Sequence, residues 1–160
     1  MNTPVDVELL KSKASAYCAL SEHCLSEVGD KLISWGASAE QKELVLDWLQ
    51  DENYISEERY CRAFVADKIR FQGWGKQKIT MALAQKRLPQ PLIREALDAF
   101  SEEEYLAKLA DLAEKKSRQL AAEEPRQAQN KLLRFLASRG FSFSDISRVL
   151  SDLPAPDDSF

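Results

Sequence analysis

Apolar residues recur along this chain at helical spacing almost throughout. Tyr17, Leu20 and Cys24, and then Val28, Leu32 and Trp35, each place three apolar side chains on one face within two turns. Leu44, Val45, Trp48 and Leu49 form a third stripe, and all three predict amphipathic helices. Polar punctuation falls where helices need caps. Ser38 with Gln41 and Ser101 with Glu104 read as capping boxes. Ser56 before Glu57 and Glu58, and Ser144 before Asp145, read as N-caps with acids at the positive helix end. Pro91 suits a first helical turn. Pro125 is expected to end or kink the long helix that starts near Glu102. Residues 154–160 are expected to be a disordered tail.

The stripes repeat. With Gly36, Arg87 and Gly140 as anchors, Val28, Ile79 and Leu132 stand eight residues before, and Leu32, Leu83 and Leu136 four before. Val45, Ala96 and Val149 stand nine after, Leu46, Leu97 and Leu150 ten after, and Leu49, Phe100 and Leu153 thirteen after. Gly36 and Gly140 suit a helix C′ position with positive φ. Arg87 suits it less well, so Leu88-Pro89 is expected to stop that helix. Each copy then reads helix, helix, turn, helix, with first helices at about Ala14–Cys24, Glu57–Phe71 and Glu102–Ala122. The fold class is all-α: three tandem three-helix repeats in an elongated, curved array, over residues 1–53, 54–100 and 101–153.

Composition fits a folded chain, with 44% apolar and 30% charged residues. Five Gly and six Pro are few for the many turns of an all-β fold. No apolar run approaches the ~20 residues of a membrane span. Residues 1–13 carry acids and no apolar core, unlike a signal peptide, so the simplest location is the cytoplasm. Cys18, Cys24 and Cys61 are odd in number and form no C-x-x-C, and His23 is the only histidine. Reduced thiols packed in helices fit them better than a four-ligand zinc site. One histidine also removes most hydrolytic and triad chemistry. Neither cofactor nor metal is expected, and no enzymatic activity.

Charge changes the picture more. Residues 59–94 hold nine Lys or Arg and one acid, Asp67, in a chain of net charge −4. Both flanks are anionic. Acid is so scarce over this block that its cations are expected to lack partners within it, which favours a polyanionic ligand over a merely solvated face. The candidate contacts are Arg62, Lys68, Arg70, Lys76, Lys78, Lys86 and Arg87. Arg59, beside Glu57 and Glu58, reads as a structural ion pair. Trp74, between Gly73 and Gly75, has two readings: a plug between repeats, or an exposed platform for a base or side chain. The G-x-G here follows a helix and lacks the third glycine of a dinucleotide loop. The acids Glu40, Glu43, Asp47, Asp51 and Glu52 read as a solvated face of the first repeat.

The middle repeat resembles the RecX family of bacterial regulators of the RecA recombinase. The resemblance rests on Ile55-Ser56-Glu57-Glu58-Arg59-Tyr60, Phe64-Val65, Lys68, Arg70, Gly73-Trp74-Gly75, Lys78-Ile79, Leu83 and Lys86. Ala19-Leu20, Glu27-Val28, Lys31-Leu32 and Gly36 extend it to the first repeat. Lys76 follows the second glycine where the family often has Pro, and Lys86-Arg87-Leu88 stands where it often has Lys-Gly-Ile. The resemblance implies three three-helix repeats and no catalysis. It also implies a monomer that lies in the groove of the RecA–DNA filament and lowers its ATPase, recombinase and co-protease activities. Partners would be the RecA nucleoprotein filament and the backbone of single- or double-stranded DNA, with no membrane. Trp74 and the seven candidate cations would form the contact. Two alternatives remain open: a nucleic-acid-binding helical module, or a helical-repeat scaffold, neither with a RecA partner.

Overall fold

A computed structural model describes residues 5–150. The first repeat is α1 (Val7–Leu20), α2 (Leu25–Ser34) and α3 (Ala39–Asp51). The second is α4 (Glu57–Asp67), a π-turn (Lys68–Gln72), α5 (Lys76–Gln85) and α6 (Gln90–Ala99). The third is α7 (Glu102–Gln119), α8 (Pro125–Ser138) and α9 (Phe143–Val149). The described residues form helices and turns only, so the chain is an all-α repeat protein, as its periodicity predicts.

The anchors share one turn. Gly36, Arg87 and Gly140 have φ of +93°, +65° and +99°. After each anchor the next N–H reaches back five residues: Ala37 to the Leu32 carbonyl (3.0 Å), Leu88 to Leu83 (3.1 Å) and Phe141 to Leu136 (3.2 Å). This is the Schellman closure. Arg87 makes it despite its side chain, at a cost of roughly 1–2 kcal/mol. The helix therefore stops at Arg87 itself, ahead of Leu88-Pro89. The repeat positions preceding the anchors are core in all three copies: Val28, Ile79 and Leu132, and Leu32, Leu83 and Leu136, are all buried.

Four boundaries differ from expectation. The first helix begins at Val7, because the Asp6 carboxylate accepts the Glu8 N–H (3.1 Å). It ends at Leu20, which is 85% exposed, so Tyr17, Leu20 and Cys24 are not one stripe. Cys24 instead caps α2, with the Glu27 carboxylate accepting its N–H (3.2 Å). Ser142 rather than Ser144 caps α9, accepting the Asp145 N–H (3.1 Å). Pro125 opens α8 after the Glu124 cap and does not end α7, which closes at Leu120. Leu153 and the expected tail lie outside the described residues.

Two cores result. Leu10, Ala14, Val28, Leu32, Val45 and Leu49 belong to one built on the first repeat, joined by Ile55 from the start of the second. The other fuses the second and third and takes in Cys24 of the first: Tyr60, Val65, Ile79 and Leu83 pack in a single cluster with Tyr105, Leu109, Leu136 and Phe141.

Candidate polyanion-binding surface

Ser56 caps α4 by accepting the Arg59 N–H (3.2 Å). The helix then widens into the π-turn and ends at Gly73, whose φ is +65°. Gly75 opens α5 with an ordinary φ of −87°. Its role is steric: a Cβ there would lie 2.3 Å from the Gly140 carbonyl carbon. The two turns meet backbone to backbone. The Gly75 N–H donates to the Arg139 carbonyl (2.7 Å), and the Gln77 N–H to Gly140 (3.0 Å). The buried Tyr105 hydroxyl accepts the Lys76 N–H (3.0 Å). The glycines around Trp74 thus serve the turn and the docking of the third repeat.

Trp74 is half-buried against the fused core, edge-on to Phe64 with ring centroids 6.3 Å apart. The ammonium groups of Lys68 and Lys78 sit over its indole, 4.8 and 4.5 Å from the ring centroid. Each such contact contributes about 0.5–1 kcal/mol where exposed. Its geometry lies between the two readings: the indole packs on the core and also orients two cations.

Most other cations of the block meet acids from elsewhere. Arg70 grips Glu104 with two bonds (2.6 and 2.9 Å), its guanidinium 5.2 Å from the Phe100 ring centroid. Lys76 pairs with Glu102 (2.8 Å) and Lys86 with Glu27 (3.3 Å). Arg62 reaches Glu58 (3.1 Å) and Glu95 (3.0 Å). Arg59 holds Glu22 (2.9 Å) and Asn53, a structural role as expected. Within the block the cations find only Asp67, as expected, but most are not left free for a ligand: their acidic partners come from the anionic flanks. Lys68 has Asp67 at 3.9 Å. Among the described residues, Lys78, Arg87 and Arg94 have no acidic partner.

The carboxyl groups respond. Bonds from Arg70 hold Glu104 below the ordinary carboxylate value, and bonds from Lys76 and Arg148 do so for Glu102. Burial pushes Glu27 up, but the Cys24 N–H and the Lys86 ammonium outweigh it and leave the carboxyl lowered. At Glu57 burial wins over the bond from the Leu25 N–H, and its value rises. Glu104 caps no backbone in return for Ser101: its carboxylate faces Arg70, so the expected capping box is half made.

Two features escaped the sequence. Tyr105 follows Ser101-Glu102-Glu103-Glu104 at the spacing by which Tyr60 follows Ser56-Glu57-Glu58-Arg59, a signal that would have marked it. The meeting of Gly75 with Gly140 leaves no local trace. His23 stacks on Tyr17 with centroids 3.9 Å apart, and the Cys24 sulfur contacts Ser26, a packing role for both.

This is a tandem three-helix-repeat protein whose central, basic repeat is neutralised in part by the acidic repeats on either side. Family models describe such units: the second three-helix domain of RecX matches residues 56–97, and the third matches residues 102–150. The regulatory protein RecX of Vibrio parahaemolyticus is 34% identical over 145 residues, covering 89% of this chain and 91% of that one. That of Pseudomonas entomophila is 34% identical over 151 residues, 94% of each. The chain belongs to the RecX family. A crystal structure of RecX from Lactobacillus salivarius shares the fold, with a TM-score of 0.84 at 23% identity, over 92% of this chain and 96% of that one. No helix among the described residues is long and apolar enough to cross a membrane.

Proposed function

We propose that this RecX-family regulator is a negative modulator of RecA. It lies in the groove of the RecA–DNA filament and lowers ATPase, recombinase and co-protease activity by occupancy, as a cytoplasmic monomer without catalysis of its own. The family supplies the regulatory role, and the resemblance of the central repeat supplies the target.

The observation that carries the contact is the pair of ammonium groups held over Trp74. Lys68 and Lys78 are oriented in advance by the indole, and Arg87 adds an unpaired cation at the far end of α5. These meet a phosphate backbone or an acidic protein face first. Arg62, Arg70, Lys76 and Lys86 extend the surface. Their ion pairs are partly solvent-exposed and worth only about 0–1 kcal/mol each, so a polyanion competes for them at small cost.

The test is RecA ATPase on single-stranded DNA with the protein added below and at stoichiometry. Inhibition is expected, and Lys68→Glu with Lys78→Glu should relieve it at unchanged helix content. Absence of inhibition at both levels would refute the proposal.

A further inference from the structure

A second cationic feature lies on the π-turn, apart from Trp74. A cleft of about 250 Å³ opens between this turn and α7. Its charged lining is Arg70, Lys108, Lys115 and Arg139 against one acid, Asp111. Phe71, also in the lining, is 78% exposed. We propose that the cleft takes the sugar–phosphate backbone of a single-stranded nucleic acid, with a base stacked on Phe71.

Charge selects the ligand. Asp111 is already held by Lys115 (3.0 Å) and Arg70 by Glu104. Lys108 makes no close ion pair, although its charge helps to lower Glu104 one turn earlier on α7, and Arg139 has no acidic partner among the described residues. Arg139 is fixed in place: its Nη2 donates to the Gln72 carbonyl and its guanidinium lies 6.0 Å from the Phe135 ring centroid. Its Nε is buried and has no hydrogen-bond partner. That nitrogen is closed to solvent, so a phosphate oxygen would meet the remaining N–H groups of a guanidinium already held in place by Gln72.

Size and Phe71 select the form. The cleft is smaller than the ~300–1,000 Å³ of a site that encloses a whole small molecule, so it suits one group of a ligand that runs on outside. A solvent-facing aromatic beside cations is the arrangement on which unpaired bases stack. In a duplex those bases already stack on their neighbours, and Phe71 has no free face to meet.

Binding in the cleft does not require RecA, so the test omits it. Binding of a fluorescently labelled oligothymidine to the full chain is followed by anisotropy over a salt series. Phe71→Ala should weaken binding roughly five- to 150-fold, the range for removal of one stacked base. Phe71→Leu, which keeps apolar bulk without an aromatic face, should weaken it in the same direction and guards against a folding defect. Lys108→Gln with Lys115→Gln should flatten the salt slope by about 0.7 for each phosphate left without its cation. Lys11→Gln with Lys13→Gln, an equal charge change on α1, should leave binding unaltered. The proposal fails if the wild type does not bind the oligomer, if the cleft variants bind as well as it does, or if the α1 variant loses as much. Failure here would leave RecA inhibition standing, and failure of the ATPase test would leave this nucleic-acid site standing.

Discussion

Gly75→Ala should separate the second and third repeats. The backbone at Gly75 suits alanine, with φ −87° and ψ 168°, so conformational strain contributes nothing. The cost is steric. The new Cβ would lie 2.3 Å from the Gly140 carbonyl carbon, and 2.4 Å from both its oxygen and the Phe141 nitrogen. All three are backbone atoms, so no side chain can rotate away. Bringing them to the ~3.5 Å of ordinary carbon contact needs a shift on the order of 1 Å. That movement stretches the bonds from Gly75 N–H to Arg139 (2.7 Å) and from Gln77 N–H to Gly140 (3.0 Å). Overpacking costs about 1–3 kcal/mol, and two weakened hydrogen bonds add about 0.5–1.5 kcal/mol each. The total is roughly 2–6 kcal/mol, a fall in Tm of roughly 5–20 °C for a chain of this size. Thermal unfolding by circular dichroism reads the shift. Gly29→Ala is the control: it is helical, and its nearest neighbour would be the Lys42 Cδ at 3.4 Å. That variant should be neutral or slightly stabilising. A Gly75→Ala protein that melts with the wild type would refute the close approach of the two turns.

Three further outcomes are expected. Tyr105→Phe removes the acceptor of the Lys76 N–H and should cost about 1–3 kcal/mol, read as a lower denaturant midpoint with an unchanged slope. The lowered values of Glu27, Glu102 and Glu104 mean that the fold favours their charged forms. Their contribution is present above the ordinary value of 4.5 and is lost as pH falls through the lowered values. Glu57, raised by burial, acts oppositely and relieves part of that loss as it protonates. Melting temperature should therefore fall between neutral pH and about pH 3, and Lys86→Met, which removes one of the groups that lower Glu27, should reduce that fall. Burial raises all three thiols, that of Cys61 to about 11, so access separates them: Cys24 and Cys61 are fully buried. A thiol reagent at neutral pH should thus label half-buried Cys18 first, and the other two only on unfolding.

The repeat was legible because its strongest positions are the buried ones. Val28, Ile79 and Leu132 report a common packing environment, and periodicity carries that information within one helix. Boundaries were harder where the capping residue is unusual or ambiguous. Cys24 is an uncommon cap, and Ser142 and Ser144 both precede the acid of α9. The candidate site was half legible. Its charges stand in the sequence, but their partners do not: Arg70 meets Glu104 across 34 residues and Lys86 meets Glu27 across 59. No local pattern encodes such pairings. They follow from how the helices are stacked, and that stacking depends on backbone contacts such as Gly75 against Gly140.

The magnitudes decide what the alternating charge is for. Exposed ion pairs of about 0–1 kcal/mol each are minor beside a fused apolar core and a backbone contact whose disruption costs several kcal/mol. The acids of the outer repeats are therefore poor candidates for the force that joins the units. Their effect is on the field. Glu22 and Glu27 from the first repeat and Glu102 and Glu104 from the third cancel Arg59, Lys86, Lys76 and Arg70 of the block. Positive charge is left at Lys68 and Lys78 over Trp74, at Arg87 and Arg94, and in the cleft beside Phe71. Screening at physiological salt limits the reach of each charge to about 8 Å, less than the width of a three-helix unit. A polyanion at the central repeat thus meets local positive charge, although the whole chain carries −4, while the acidic face of α3 repels it. On the proposed anionic filament, the sign change along the array would orient the protein, which a uniformly basic chain of the same fold could not do.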